Sequence, residues 1–132
     1  MYKTRIEHTA VWVRDIERTR DFFQRNINAT SGARYDNDKG FSSYFMSFPG
    51  CTTRLEIMQS SIIEFEVTPD FKPSSGMGHI AVGVGSKEKV DSLTDSLISE
   101  GHRLLSGPRV TGDGYYESCL AVFNDFMLEI TV

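Results

Sequence analysis

Four residues of this chain have the types and spacing to do chemistry: His8, Glu56, His79 and Glu129. Each stands in a mostly apolar run, within "IEHTAVWV", "TTRLEIMQ", "GMGHIAVGV" and "FMLEITV". A lone histidine in such a run is usually a hydrogen-bonded core residue. Here neither residue type is alone. With the second half of the chain laid over the first, His8 falls on His79 and Glu56 on Glu129, at offsets that differ by two residues. Self-similarity over that length is a sign of repeated architecture.

Successive side chains of a strand alternate between faces, which decides where these groups point. Leu55 and Ile57 lie opposite Glu56, and Leu128 and Ile130 opposite Glu129; Thr9 and Val11 lie opposite His8, and Ile80 and Val82 opposite His79. Each half therefore has an apolar face for a helix and a second face with one histidine and one glutamate. Unpaired carboxylates inside strands cost several kcal/mol unless they are paired, protonated or bound to a cation. Two arrangements meet that requirement. The histidines and glutamates form ion pairs that hold the sheet, or they bind a divalent Zn, Ni, Co, Mn or Fe ion and leave positions for water or substrate. Cys51 and Cys119 lack metal-ligand spacing and read as buried or half-buried free thiols. His102, at a helix end without a counterpart, is expected at the surface.

The elements that must position these groups follow from composition and period. A chain of 132 residues with 39% hydrophobic residues can bury one sizeable core. Its formal charge of −4, from 14 Lys+Arg against 18 Asp+Glu, shows no basic stripe, so a small-molecule or protein partner is expected and nucleic acid is not. There is no apolar run of about 18 residues and no signal core in "MYKTRIEHTA", so no membrane span is expected and a cytoplasmic location is. A strand is predicted over residues 6–13. A helix follows from the N-cap Asp15, with Ile16, Phe22, Phe23 and Ile27 on one face. A short strand near 33–35 and strands in "GFSSYFMSFPG" and "TTRLEIMQ" complete the first half. Residues 59–75, with Pro69 and Pro73, read as a linker. The order then restarts: "HIAVGV" as a strand, then a helix from Ser86 with Val90, Leu93, Leu97 and Ile98 on one face, ended by Gly101. "GYYESCLAVF" and "FMLEITV" follow as strands, joined by a tight turn at Asn124 and Asp125.

On these residues the sequence resembles the vicinal oxygen chelate superfamily. The resemblance implies an α+β fold, a single domain over residues 1–132 built from two βαβββ modules, about 5–58 and 76–132, whose curved mixed sheet surrounds a metal site. The order His, Glu, His, Glu is similar to that of glyoxalase I (lactoylglutathione lyase). That likeness implies His8, Glu56, His79 and Glu129 as metal ligands and a homodimer with sites at the subunit interface. It further implies a metal-dependent isomerase or lyase that transfers a proton next to a metal-bound carbonyl, with Glu129 the first candidate for base and Glu56 its symmetric partner. Other branches fit less well. Acyl-CoA epimerases usually have glutamine at the place of Glu56, extradiol dioxygenases and fosfomycin-resistance transferases use two histidines and one glutamate, and bleomycin-resistance binding proteins lack the ligands.

The glutathione-binding features depart from glyoxalase I. Trp12 stands where the family has an arginine, four residues after the first histidine, and "IMQSS" after Glu56 lacks the expected asparagine. Trp12 reads either as an aromatic wall for substrate or as core filler. The segment "GPRVTGDGYYES", residues 107–118, resembles a loop that closes over substrate, and the alternative is a plain turn between strands. Within it Arg109, Tyr115 and Tyr116 are candidate substrate-binding residues, Arg109 being suited to a carboxylate or phosphate.

Overall fold

In a computed structural model, which describes residues 4–132, Asp15 caps the first helix as its position predicts. Its carboxylate accepts from the backbone N–H groups of Glu17 and Arg18 at 3.0 and 3.2 Å, donors that a helix start otherwise leaves open. The chain divides into two compact units, one reaching Phe65 and the other starting at Glu66.

The first unit comprises β1 (His8–Trp12), α1 (Ile16–Ile27), β2 (Thr30–Ser31), β3 (Tyr35–Asp36), β4 (Phe41–Ser47) and β5 (Arg54–Ser60). Its sheet has the order β1-β5-β4-β2, with β3 also on β4; β1 runs parallel to β5 and the other pairs are antiparallel. The strand expected near 33–35 is thus two short strands flanking it, and β1 is shorter than the apolar run that predicts it. Asn28, at φ 56, ends α1 in the left-handed conformation. Ile16, Phe22 and Phe23 of α1 are fully buried with Met46 and Ile57 of the sheet, which is the helical face the spacing predicts.

The second unit repeats the order with β6 (Ile80–Gly83), α2 (Lys87–Ser99), β7 (Arg103–Val110), β8 (Tyr116–Val122) and β9 (Phe126–Thr131), arranged β6-β9-β8-β7 with β6 parallel to β9. Ser86 caps α2 by accepting from the Lys89 N–H at 3.2 Å. The buried face of α2 is Val90, Thr94 and Leu97, while Ile98 is 41% exposed. Thr94 is tolerated there because its hydroxyl donates to the Val90 carbonyl at 2.6 Å and lies 2.7 Å from the Ser118 hydroxyl. No helix among the described residues is long and apolar enough to cross a membrane.

Five expectations change. Strand β7 occupies a stretch where the pattern predicts none, because its register slips twice between Leu104 and Arg109 and the alternation is broken. With the start of β8 it takes up most of residues 107–118, so the closing loop is instead a short hairpin: the Thr111 N–H donates to the Tyr115 carbonyl at 2.7 Å, and the Tyr115 N–H to the Thr111 hydroxyl at 3.1 Å. His102 is not at the surface. It is 6% exposed, its Nδ1 accepts from the Phe123 N–H at 3.2 Å, and its ring meets Phe123 edge-on at 4.6 Å. The turn between β8 and β9 accordingly falls one residue early, with positive φ at Phe123 (52) and Asn124 (58) and the Asp125 N–H donating to Val122 at 2.9 Å. Cys51 is exposed rather than buried; Cys119 is half-buried.

Of the predicted linker, Gln59 and Ser60 belong to β5. Arg14 lies over the Phe65 ring at 4.6 Å in the first unit. In the second, Arg103 donates to the Pro69 carbonyl at 2.5 Å and lies over Phe71 at 5.8 Å. Each end is tied to the unit it adjoins.

Candidate functional site

Each unit sets one histidine beside one glutamate by the same register. In the first, Ala10 is the rung partner of Glu56 and His8 lies two residues before Ala10. In the second, Ala81 is the rung partner of Glu129 and His79 lies two residues before Ala81. Because alternate residues share a face, each pair is brought to one side of its sheet, away from the apolar side chains beneath the helix. His8 Nε2 is 3.9 Å from Glu56 Oε1, and His79 Nε2 is 3.1 Å from Glu129 Oε2. The glutamate side chains are only 15% and 20% exposed, so both carboxylates are largely withdrawn from water and gain from a cationic neighbour.

The surroundings of the pairs differ. His8 Nδ1 is 2.5 Å from Glu7 Oε2, and Arg54, the rung partner of His8, donates to Glu7 Oε1 through Nε at 2.9 Å and Nη2 at 2.5 Å. The Arg54 guanidinium lies over the Phe45 ring at 4.2 Å, and Phe45 meets the His8 ring edge-on at 5.1 Å. The hydrogen bonds from His8 and then Arg54 hold the Glu7 carboxyl below its ordinary range. Trp12 shares the His8 face. Its rung continues through Met58 and Ser43 to Tyr35, and Phe41 lies 6.0 Å from Trp12 and 6.2 Å from Tyr35, ring to ring. Trp12 is 37% and Tyr35 56% exposed, so Trp12 belongs to an open aromatic surface and is not core filler.

Around Glu129 the neighbours are polar. Cys119 is its rung partner, Glu117 is that of Thr131, and Arg109 that of Glu117. Burial, with the Glu129 and Asp113 carboxylates adding to it, pushes Glu117 up against the opposite pull of His79 and Arg109. Burial and then the same two glutamates push the Cys119 thiol up to about 11, which leaves it protonated and unreactive. A cavity of about 360 Å³, lined in part by Phe71, Met77, Gly78 and Met127, adjoins the residue before His79.

Of the candidate substrate-binding residues, Arg109 is exposed on β7 on the Glu129 side, and Tyr115 is exposed in the hairpin. Tyr116 is turned away. Its hydroxyl lies 2.5 Å from Asp91 of α2 and its ring lies under Lys87 at 5.4 Å, so it faces the helix and leaves the candidate set. The sequence reading missed Glu7, Arg54, Phe41, Tyr35 and Glu117. Alternation from Glu56 could have found Arg54, and alternation from Cys119 could have found Glu117. Nothing local marks Glu7, which precedes β1 and which alternation along the run would send away from His8.

The donor set suits a divalent ion. An imidazole nitrogen and a carboxylate on neighbouring strands, present twice, are the ligands that Zn, Mn, Co, Ni and Fe share. Among the described residues no group of three or more His, Cys, Asp or Glu side chains stands ready to hold a metal; each unit supplies one such pair.

The sequence profile of the Glyoxalase/Bleomycin resistance protein/Dioxygenase superfamily matches residues 5–127. No curated protein matches the chain in sequence. Solved structures share its fold at low identity. The trypanothione-dependent glyoxalase I of Leishmania major matches with a TM-score of 0.73 and 17% identity, over 98% of this chain and 86% of that one. A glyoxalase family protein from Bacillus cereus matches with a TM-score of 0.80 and 13% identity, over 99% and 95%. A mutant of FosX, the genomically encoded fosfomycin resistance protein of Listeria monocytogenes, solved with Mn(II) and 1S,2S-dihydroxypropylphosphonic acid, matches with a TM-score of 0.72 and 19% identity, over 98% and 93%. Such likeness speaks to fold, and function rests on the site. With the profile spanning nearly its whole length and both units built strand, helix, strands, the chain belongs to the Glyoxalase/Bleomycin resistance protein/Dioxygenase superfamily, the vicinal oxygen chelate superfamily.

Proposed function

We propose that this chain is a metal-dependent lyase or isomerase of glyoxalase type, which moves a proton between neighbouring carbons of a small carbonyl substrate. The observation that carries the reading is the shared register, His8 two residues before the partner of Glu56 and His79 two residues before the partner of Glu129. His8, Glu56, His79 and Glu129 would hold the ion, in one chain or across a homodimer, in the cytoplasm. A divalent ion bound there supplies Lewis-acid polarisation of the substrate carbonyl. Glu129 takes the proton from the carbon beside that carbonyl and returns it to the next carbon, and Glu56 is the symmetric alternative. The Trp12, Phe41 and Tyr35 rings seat the apolar part of the substrate and keep water from it, and Arg109 and Tyr115 bind its polar end.

Metal analysis after dialysis, followed by assay with methylglyoxal and glutathione, tests the reading. Expected are a stoichiometric divalent ion, or one restored on addition, and turnover that vanishes with chelation. A protein that takes up no divalent ion overturns the proposal.

A further inference from the structure

The two histidines share a register but not a partner. Glu7 uses both carboxylate oxygens: Oε2 faces His8 Nδ1 at 2.5 Å, and Oε1 is gripped by Arg54 at 2.5 and 2.9 Å. Arg54 is itself fixed, lying over Phe45 at 4.2 Å, while Phe45 closes the ring of contacts by meeting His8 at 5.1 Å and 85°. The imidazole is therefore held at its Nδ1 side and against the Phe45 ring. Its Nε2, 3.9 Å from Glu56, is beyond hydrogen-bond reach of that carboxylate. His79 has no such support at the matching place, because Gly78 precedes it and carries no side chain. Its Nε2 instead stands 3.1 Å from Glu129.

We infer that Glu7 is a positioning residue: it holds His8 as the Nδ1–H tautomer, with the Nε2 lone pair free for a cation, whereas His79 rests as the Nε2–H tautomer against Glu129. The partner of one ring nitrogen sets the tautomer and so decides which nitrogen can ligate. A carboxylate behind an imidazole also makes it the better donor, and loss of such partners typically lowers metal affinity about 10–100-fold. His8 is then the pre-formed ligand, and His79 must first shift its proton from Nε2 to Nδ1 before Nε2 can ligate. The metal-affinity part of this inference rests on the reading above; the tautomer part does not.

Long-range 1H–15N spectra of the full, metal-free chain at about pH 8 separate its three histidines and report each tautomer directly. Wild type is expected to show His8 protonated at Nδ1 and His79 at Nε2. Glu7→Ala is expected to mix the His8 tautomers without changing those of His79, and to raise the Kd for Zn(II), measured by chelator competition, about 10–100-fold. Glu7→Gln keeps the shape and an accepting oxygen, so it guards against misfolding; it is expected to keep the tautomer and lose only part of the affinity. A wild-type His8 protonated at Nε2, or a Glu7→Ala variant with an unchanged spectrum, overturns the inference. A wild type that binds no Zn(II) but shows the expected tautomers overturns the metal reading and leaves the role of Glu7 standing.

Discussion

His79 Nε2 lies 3.1 Å from Glu129 Oε2, at the margin of a sheet whose next strand sets Cys119 and Glu117 beside the same carboxylate. Glu129 thus has one imidazole close by and a second carboxylate near it. For a proton-transfer role the loss of its charge should matter more than the loss of its volume. Glu129→Gln is expected to lower kcat by about 10²–10⁴-fold, with the fold intact by circular dichroism. Glu56→Gln is expected to lose activity or tight metal; unchanged turnover there would favour a three-ligand branch of the superfamily.

Trp12 lies in an open row of rings with Phe41 and Tyr35, where glyoxalase I is expected to have a cation. Steady-state assays with two thiol adducts distinguish these chemistries. Trp12→Ala should raise KM for the phenylglyoxal adduct about 3–10-fold, the equivalent of roughly 0.5–1.5 kcal/mol of ring contact, and change that for methylglyoxal far less. Equal effects on both adducts would remove Trp12 from the substrate surface.

His102 is a structural residue. Its Nδ1 receives the Phe123 N–H and its ring packs on Phe123, a bulky residue held at φ 52, where such residues are strained. His102→Ala should leave that N–H unpaired and open a cavity, costing roughly 2–3 kcal/mol. Urea denaturation would show it as a lower midpoint at an unchanged slope, with no loss of metal content.

Glu17 on α1 accepts from the Tyr44 hydroxyl at 2.8 Å and from Arg34 at 2.8 Å. The Tyr44 hydrogen bond first, and Arg34 second, hold its carboxyl below the ordinary 4.5. A depressed folded pKa means stabilisation that is present above 4.5 and disappears as pH falls through the lower folded value. Tyr44→Phe removes the main cause. Thermal melts should therefore show the wild type ahead of this variant near neutral pH, by a margin that shrinks on acidification. A gap that is independent of pH would assign the effect of Tyr44 to packing alone.

The sequence by itself determined the architecture and the two His–Glu pairs. Alternation and helical period are local properties: they placed the caps at Asp15 and Ser86, the buried face of α1, and the polar residues of β5 and β9 on one side of their strands. The internal repeat then linked His8 to His79 and Glu56 to Glu129. Only the tertiary structure decided what touches these residues. Glu7 reaches His8 through a side chain that strand alternation would send the other way, and Arg54 helps to hold it there from a strand 47 positions along the chain. Tyr116 turned to α2, and β7 hid its strand in two slips of register. Such contacts depend on cross-strand pairing and on rotamers chosen by neighbours remote in sequence, and no period along the chain encodes them.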